Sequence, residues 1–231
     1  MLWFLTDYWY IVLVLPAVIF SVWANVHVNS TFERYAKKLS LRGMTGAEAA
    51  KRVLESNGVH GVDIQRTGGH LTDHYDPRKK TIFLSDSVYA STSCAAIGVA
   101  AHESGHAVQY ATNYGPIKFR MGLVSITNFS SMLAIPLFFI GLLFSAEPLM
   151  LAGILMYSAI AFFQLVTLPV EFNASSRALR ALSGSGMLSQ DELGASKKVL
   201  TAAALTYVAA AATSLAQLLR LLAIYGRRRR N

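Results

Sequence analysis

The chain has 231 residues, 53 % of them apolar, with a formal net charge of +8 and a mean hydropathy of +0.39. That content is too apolar for an ordinary soluble domain, and the length leaves room for one modest catalytic unit. Cys94 is the single cysteine, so no internal disulfide forms, and its place reads as a small core residue. The basic residues cluster beside apolar stretches without an aromatic-basic binding motif, which points to anionic membrane lipid as a partner and away from nucleic acid.

The first apolar run covers 8–26, close to the roughly 20 residues that cross a bilayer. Trp3, Trp9, Tyr10 and Trp23 near its ends suit the interfacial aromatic belt. The leading residues carry Asp7 and no Lys or Arg, and no small-x-small cleavage site follows, so the run reads as a retained anchor and not as a cleaved signal peptide.

A polar stretch, 27–121, follows. Thr45-Gly46-Ala47-Glu48 is a capping box that opens an amphipathic helix running to Asn57-Gly58. Segments 62–66, 71–75 and 81–84 read as short strands separated by Thr67-Gly68-Gly69 and Asp76-Pro77-Arg78 turns. The strand at 81–85 is expected, from its position, to be the edge that holds an extended peptide. In a strand, His70 and His74 would share a face but stand about 13 Å apart, too far to ligate one ion. They read as surface or substrate-side histidines. His74, Arg177 and Tyr157 are candidates for a hydrogen bond to a transition state.

The most informative stretch is His102-Glu103-Ser104-Gly105-His106. Histidines four apart on a helix project from one face, close enough for both imidazoles to hold one ion. Glu103 is rotated by roughly 100° around the helix, where it reaches a water beside the ion without ligating it. Val99, Ala100, Ala101, Ala107 and Val108 around the motif are small or apolar, as a buried helix requires. A glutamate between two histidines in such a setting has a chemical reason to be there.

Catalytic zinc takes three protein ligands and leaves a fourth position open. The extended metzincin pattern would need Gly where Gln109 stands and His where Thr112 stands, so that class is excluded. Glu147 lies in a short turn between two apolar runs, and Asp191 and Glu192 lie in a polar loop and helix start near 183–194. Glu171 is the better third ligand: it follows Pro169-Val170 at the exit of a long apolar helix, and helical spacing puts Ser175 on its face.

Three further apolar runs cover 123–144, 149–170 and 199–219. Arg34, Lys37, Lys38, Arg42, Lys118, Arg120, Arg177, Arg180, Lys197 and Lys198 then fall on one side of the membrane, which the positive-inside rule makes cytoplasmic, together with the His102 helix. Arg227 to Arg230 would fall on the other side if the fourth run crosses; Arg220, inside the apolar pattern that continues past that run, offers the alternative that it does not.

His102 to His106, Glu171-Phe172-Asn173-Ala174-Ser175 and His70-Leu71-Thr72-Asp73-His74-Tyr75-Asp76-Pro77-Arg78 together resemble the YugP-type neutral zinc metallopeptidases, a family of bacterial integral membrane proteins. The resemblance runs from the first apolar segment to the arginine tail. More distantly the chain is similar to gluzincin-type membrane proteases of the HtpX and CAAX-protease kind. These resemblances imply His102, His106 and Glu171 as ligands of Zn2+ and Glu103 as the base. Ser175 stands where the wider group has an Asp, so a hydroxyl takes the place of a carboxylate that would orient a histidine.

The expected architecture is a mainly α membrane protein of about four membrane helices with a small α+β zincin-like portion, a single domain over 1–231, its soluble catalytic part formed by 27–121 and 171–198. The expected function is a multi-pass membrane metalloendopeptidase cleaving peptides or membrane proteins by a general-base mechanism. The alternative is a structural or regulatory zinc site that recruits partners without cleaving them, for which a fourth protein ligand would be the sign.

Overall fold

The computed structural model describes residues 8–229; Trp3, Asp7 and Arg230, used above, lie outside that range. A π-helical turn, Tyr10–Val14, leads into α1 (Leu15–Ala36). Then come α2 (Gly46–Ser56), β1 (Asp63–Thr67), β2 (His74–Asp76), β3 (Thr81–Ser85), α3 (Cys94–Ala111), α4 (Gly115–Leu143), α5 (Glu147–Gly184) and α6 (Gln190–Arg229). Four of these helices, α1 with its π turn, α4, α5 and α6, are long and apolar enough to cross a membrane. The protein is a mainly α membrane protein with a small α+β portion. Its contacts sort residues into two compact units, one of 8–25, 119–168 and 206–229, the other of 26–118 and 169–205.

The first unit is helical. Phe138, Met150, Ile154 and Leu221 form its core. Ile19, Val22, Ile126, Met132, Leu155 and Phe162 stay exposed on its helices, a distribution that suits hydrocarbon and would be unfavourable in water. Arg220, the residue that spoke against a fourth span, is buried with its guanidinium 5.4 Å from the Tyr10 ring centre, so it leaves the lipid-facing side of α6 apolar. Near the end of α6, Arg228 donates to Leu142 O at 2.6 Å and to Ser145 Oγ, and the Tyr225 hydroxyl bonds the Glu147 carboxylate. Carbonyls left over at the C-terminus of α4 attract a cation. The basic tail therefore has a local partner that the positive-inside rule does not consider.

The second unit carries the sheet. The Thr45 hydroxyl accepts from Glu48 N at 3.2 Å and the Glu48 carboxylate accepts from Thr45 N at 2.8 Å, so the capping box starts α2 as its sequence implies. The strand order is β1-β3-β2, with β1 parallel and β2 antiparallel to β3. Two expectations are corrected here. The second strand begins at His74 and not at Leu71, because Leu71 has φ +54°, a left-handed backbone that turns the chain. Asp73 anchors that turn by accepting from Ser85 N and Oγ at 2.7 and 2.9 Å. His70 therefore shares no strand face with His74; its ring packs edge-on against Phe32. The second correction concerns 81–85, which is the central strand and not an edge. Its burial at Thr81, Ile82, Leu84 and Ser85 leaves no free side for another strand, and the edges are β1 and β2.

Ser93 caps α3 by accepting from Ala96 N at 3.2 Å. The helix is buried along most of its length. Ala95, Ala96, Ala100, Ala107 and Val108 join a core with Ala50 and Leu54 of α2 and Ile82 and Leu84 of β3. Ile97 and Ala101 join a second core with Ala178 and Leu182 of α5 and Leu200 of α6. Helix α5 differs from its sequence reading: it does not end near Val170 but continues through Pro169 to Gly184. Proline removes one helical hydrogen bond, but Glu171, Ala174, Ala178 and Leu182 recur at three- and four-residue spacing as a buried stripe, and the packing of that stripe holds the helix together.

Helices α5 and α3 approach closely at Gly105, where a Cβ would lie 2.6 Å from Ala174 O. No side chain fits there without moving one helix. Gly105→Ala is expected to destabilise the protein by about 1–3 kcal/mol through overpacking, seen as a lower melting temperature in detergent. Gly115→Ala, where nothing lies within 4 Å, should leave the melting temperature unchanged or raised; equal melting of both variants and the parent would show that this contact yields freely.

Candidate metal centre

Helix α3 sets His102 and His106 one turn apart, with ring centres 4.7 Å apart and planes at 84°. Glu171 arrives from α5. Its Oε2 lies 3.3 Å from His102 Nε2 and 3.5 Å from His106 Nε2, and one donor atom from each of the three residues falls within 4.8 Å of the others. The carboxylate is 2 % exposed, and its Oε2 has no hydrogen-bond partner among the described residues. A buried carboxylate oxygen facing two imidazole nitrogens is costly unless a cation lies between them. Two imidazoles and a carboxylate suit zinc in donor type and number, so these residues fit the ion.

The setting favours positive charge. Burial alone would push the His106 pKa down, but the nearby Glu171 and Glu103 carboxylates outweigh it and hold the imidazole above its ordinary value. Glu103 is buried, 8 % exposed, and stands outside the three-donor cluster.

The far side of each imidazole is also held. His102 Nδ1 lies 3.0 Å from Ser175 Oγ, so the hydroxyl that replaces the wider group's carboxylate does reach the ring. His106 Nδ1 lies 3.0 Å from Gln109 Oε1. Gln109, fully buried, donates to Val170 O and Asn173 Oδ1. The pairing of Gln109 with Asn173 lies outside what the spacing of the histidine motif implies. The available signal was an amide three residues past the second histidine on an otherwise apolar helix, where a polar group needs a partner.

The remaining candidates make contacts of their own. Arg177 donates its Nε to Asn173 Oδ1 at 2.7 Å and sits 5.6 Å from the Tyr114 ring centre. His74 is exposed at the start of β2, stacked on Phe83, with Nδ1 donating to Thr72 O. The rival carboxylates are engaged elsewhere. Asp191 pairs with Lys38, Glu192 accepts from Leu41 N and Ser189 N, and Glu147 accepts from Tyr225.

Comparison with known proteins gives a consistent result. A family model described as "Putative neutral zinc metallopeptidase" matches residues 10–226. The chain is 46 % identical over 216 residues to the "Putative membrane protease YugP" of Bacillus subtilis (strain 168), covering 94 % of this chain and 96 % of that protein. No solved structure matches it. With almost the whole chain inside the family model and nearly half of its residues shared with a relative of similar length, the protein belongs to this neutral zinc metallopeptidase family.

Proposed function

We propose that the protein is a membrane-embedded zinc metalloendopeptidase. The observation that carries this reading is the buried, partnerless Glu171 Oε2 facing the Nε2 atoms of His102 and His106. Those three residues would hold the ion, whose contribution when bound is Lewis acidity toward a peptide carbonyl and a water. Glu103 is the general base. Its carboxylate takes a proton from the water as the oxygen bonds to the carbonyl carbon, and passes that proton to the nitrogen as the C–N bond breaks. The products are a free carboxylate and an amine, with no covalent enzyme intermediate.

The substrate peptide is extended along the free edge of β2, which stands beside β3 and carries Tyr75 against Tyr110 of α3. Main-chain pairing there would bring a strand to the helix of the two histidines. The three-donor cluster favours an open fourth position over a closed structural site. The basic residues around 34–42, 118–120, 177–180 and 197–198 support a cytoplasmic site.

Glu103→Gln is expected to keep stoichiometric zinc and to lower peptide cleavage by about 10²- to 10⁴-fold; undiminished cleavage would end the assignment of the base. Metal analysis separates the ligands: Glu171→Ala should weaken zinc binding strongly, Ser175→Ala by up to about 10- to 100-fold, and Asp191→Ala hardly at all. Zinc held at parental affinity by Glu171→Ala would remove Glu171 from the site. For orientation, a cysteine placed at the exposed Lys51 or Glu55 of α2 should be protected from membrane-impermeant reagents in intact cells and labelled after lysis. Labelling in intact cells would put the site outside.

A further inference from the structure

Gln109, Asn173 and Arg177 form a hydrogen-bonded chain that ends on His106, and its donors and acceptors can each be assigned. Val170 O only accepts, so the Gln109 group 2.8 Å from it is the Nε2 amide nitrogen. Arg177 Nε only donates, so the Asn173 atom 2.7 Å from it is the Oδ1 oxygen, which also accepts from Gln109 Nε2 at 3.0 Å. Both constraints orient the Gln109 amide the same way. Its Oε1 therefore faces His106 Nδ1, at 3.0 Å. An amide oxygen cannot donate, so Nδ1 carries the hydrogen and the lone pair of a neutral His106 is on Nε2, the nitrogen 3.5 Å from Glu171 Oε2.

We infer that Gln109 is a positioning residue that fixes the tautomer and ring orientation of His106 for metal binding, and that Asn173 and Arg177 hold Gln109 in the required amide orientation. The inference rests on the proposed reading of His102, His106 and Glu171 as the metal ligands. It separates the two histidines in kind. His102 faces a Ser175 hydroxyl, which rotates and both donates and accepts, whereas His106 faces an acceptor that is fixed from two sides. It also gives Arg177 a role other than contact with a transition state. The guanidinium acts through Asn173 and Gln109, and its Nε is already used there.

Burial explains why the chain has to be complete. Gln109 is fully buried, and removing either acceptor of its Nε2 hydrogens would leave the amide free to turn and present nitrogen to His106. Ligand-orienting partners of this kind are worth about 10- to 100-fold in metal affinity.

The test uses the full-length protein in detergent. Zinc affinity is measured by chelator competition, the cobalt(II) absorption spectrum is recorded, and the imidazole tautomers of the zinc-free protein are read by NMR with 15N-labelled histidine. Gln109→Met keeps length and removes the acceptor; it is expected to lose about 10- to 100-fold in zinc affinity, to alter the cobalt spectrum and to release His106 from the single Nδ1–H tautomer. Gln109→Glu keeps an acceptor opposite His106 Nδ1 but gives up both Nε2 donations, so it should retain the Nδ1–H tautomer while recovering only part of the zinc affinity. Asn173→Leu should weaken zinc binding, with Asn173→Asp recovering it. Ser196→Ala is the control, since it removes a buried hydrogen bond from the Ser196 hydroxyl to Cys94 O at the start of the same helix and should change neither affinity nor spectrum. Parental affinity and an unchanged cobalt spectrum in Gln109→Met would overturn the inference, as would a loss matched by Ser196→Ala or a Gln109→Glu variant that does not retain the Nδ1–H tautomer. His106→Ala identifies which reading has failed: if it too binds zinc at parental affinity, the ligand assignment falls, and if it alone loses zinc, only the positioning chain falls.

Discussion

A carboxylate held out of water between two imidazoles is the constraint around which the second unit is organised. Glu171 is 2 % exposed and comes from a different helix than its neighbours, so its position depends on how closely α5 approaches α3. That approach is set at Gly105, against the backbone of Ala174. The two residues between Glu103 and His106 are therefore not filler. Gly105 admits the neighbouring helix, and Ser104 turns the opposite way, donating to Ala50 O of α2 and Ala100 O of its own helix. Small residues on α3 bring a helix close on each side, and the histidines occupy the remaining face.

Much of this was legible because it is local. The H-E-x-x-H spacing fixes two rings on one face whatever surrounds them, and the Thr45 to Glu48 box fixes the start of α2. The apolar runs mark the long helices by composition alone. What escaped was non-local. Whether 81–85 is central or marginal depends on which strands flank it, and its near-continuous burial, with Thr and Ser inside, does not follow the alternation expected of a half-exposed strand. The end of α5 escaped for a related reason. Pro169 and the polar residues after it look like a stop, but Glu171, Ala174, Ala178 and Leu182 form a stripe whose partner surface belongs to another helix.

The metal centre shows the same division. His102, Glu103 and His106 follow from one short motif, and Glu171 from elimination among downstream carboxylates with the family resemblance in support. Gln109 was visible as a residue but not as a partner, because its meaning lies in Val170 and Asn173, some sixty positions later. Lys38 and Asp191, like Leu41 and Glu192, pair across a still longer separation. Such pairs explain why Asp191 and Glu192, polar and available on paper, are committed to holding the start of α6 against the segment after α1.

The brevity of β2 has two consequences. Only His74, Tyr75 and Asp76 pair with β3, so the outer side of this strand offers few backbone groups to anything laid along it. A peptide gripped there through its main chain gains few hydrogen bonds, and selectivity must come from its side chains and from the cleft around them. The same shortness protects the protein. Sheets recruit copies of themselves through long, flat, unpaired margins, and a three-residue margin ending in the charged Asp76 gives neighbouring molecules in a crowded bilayer little to add to.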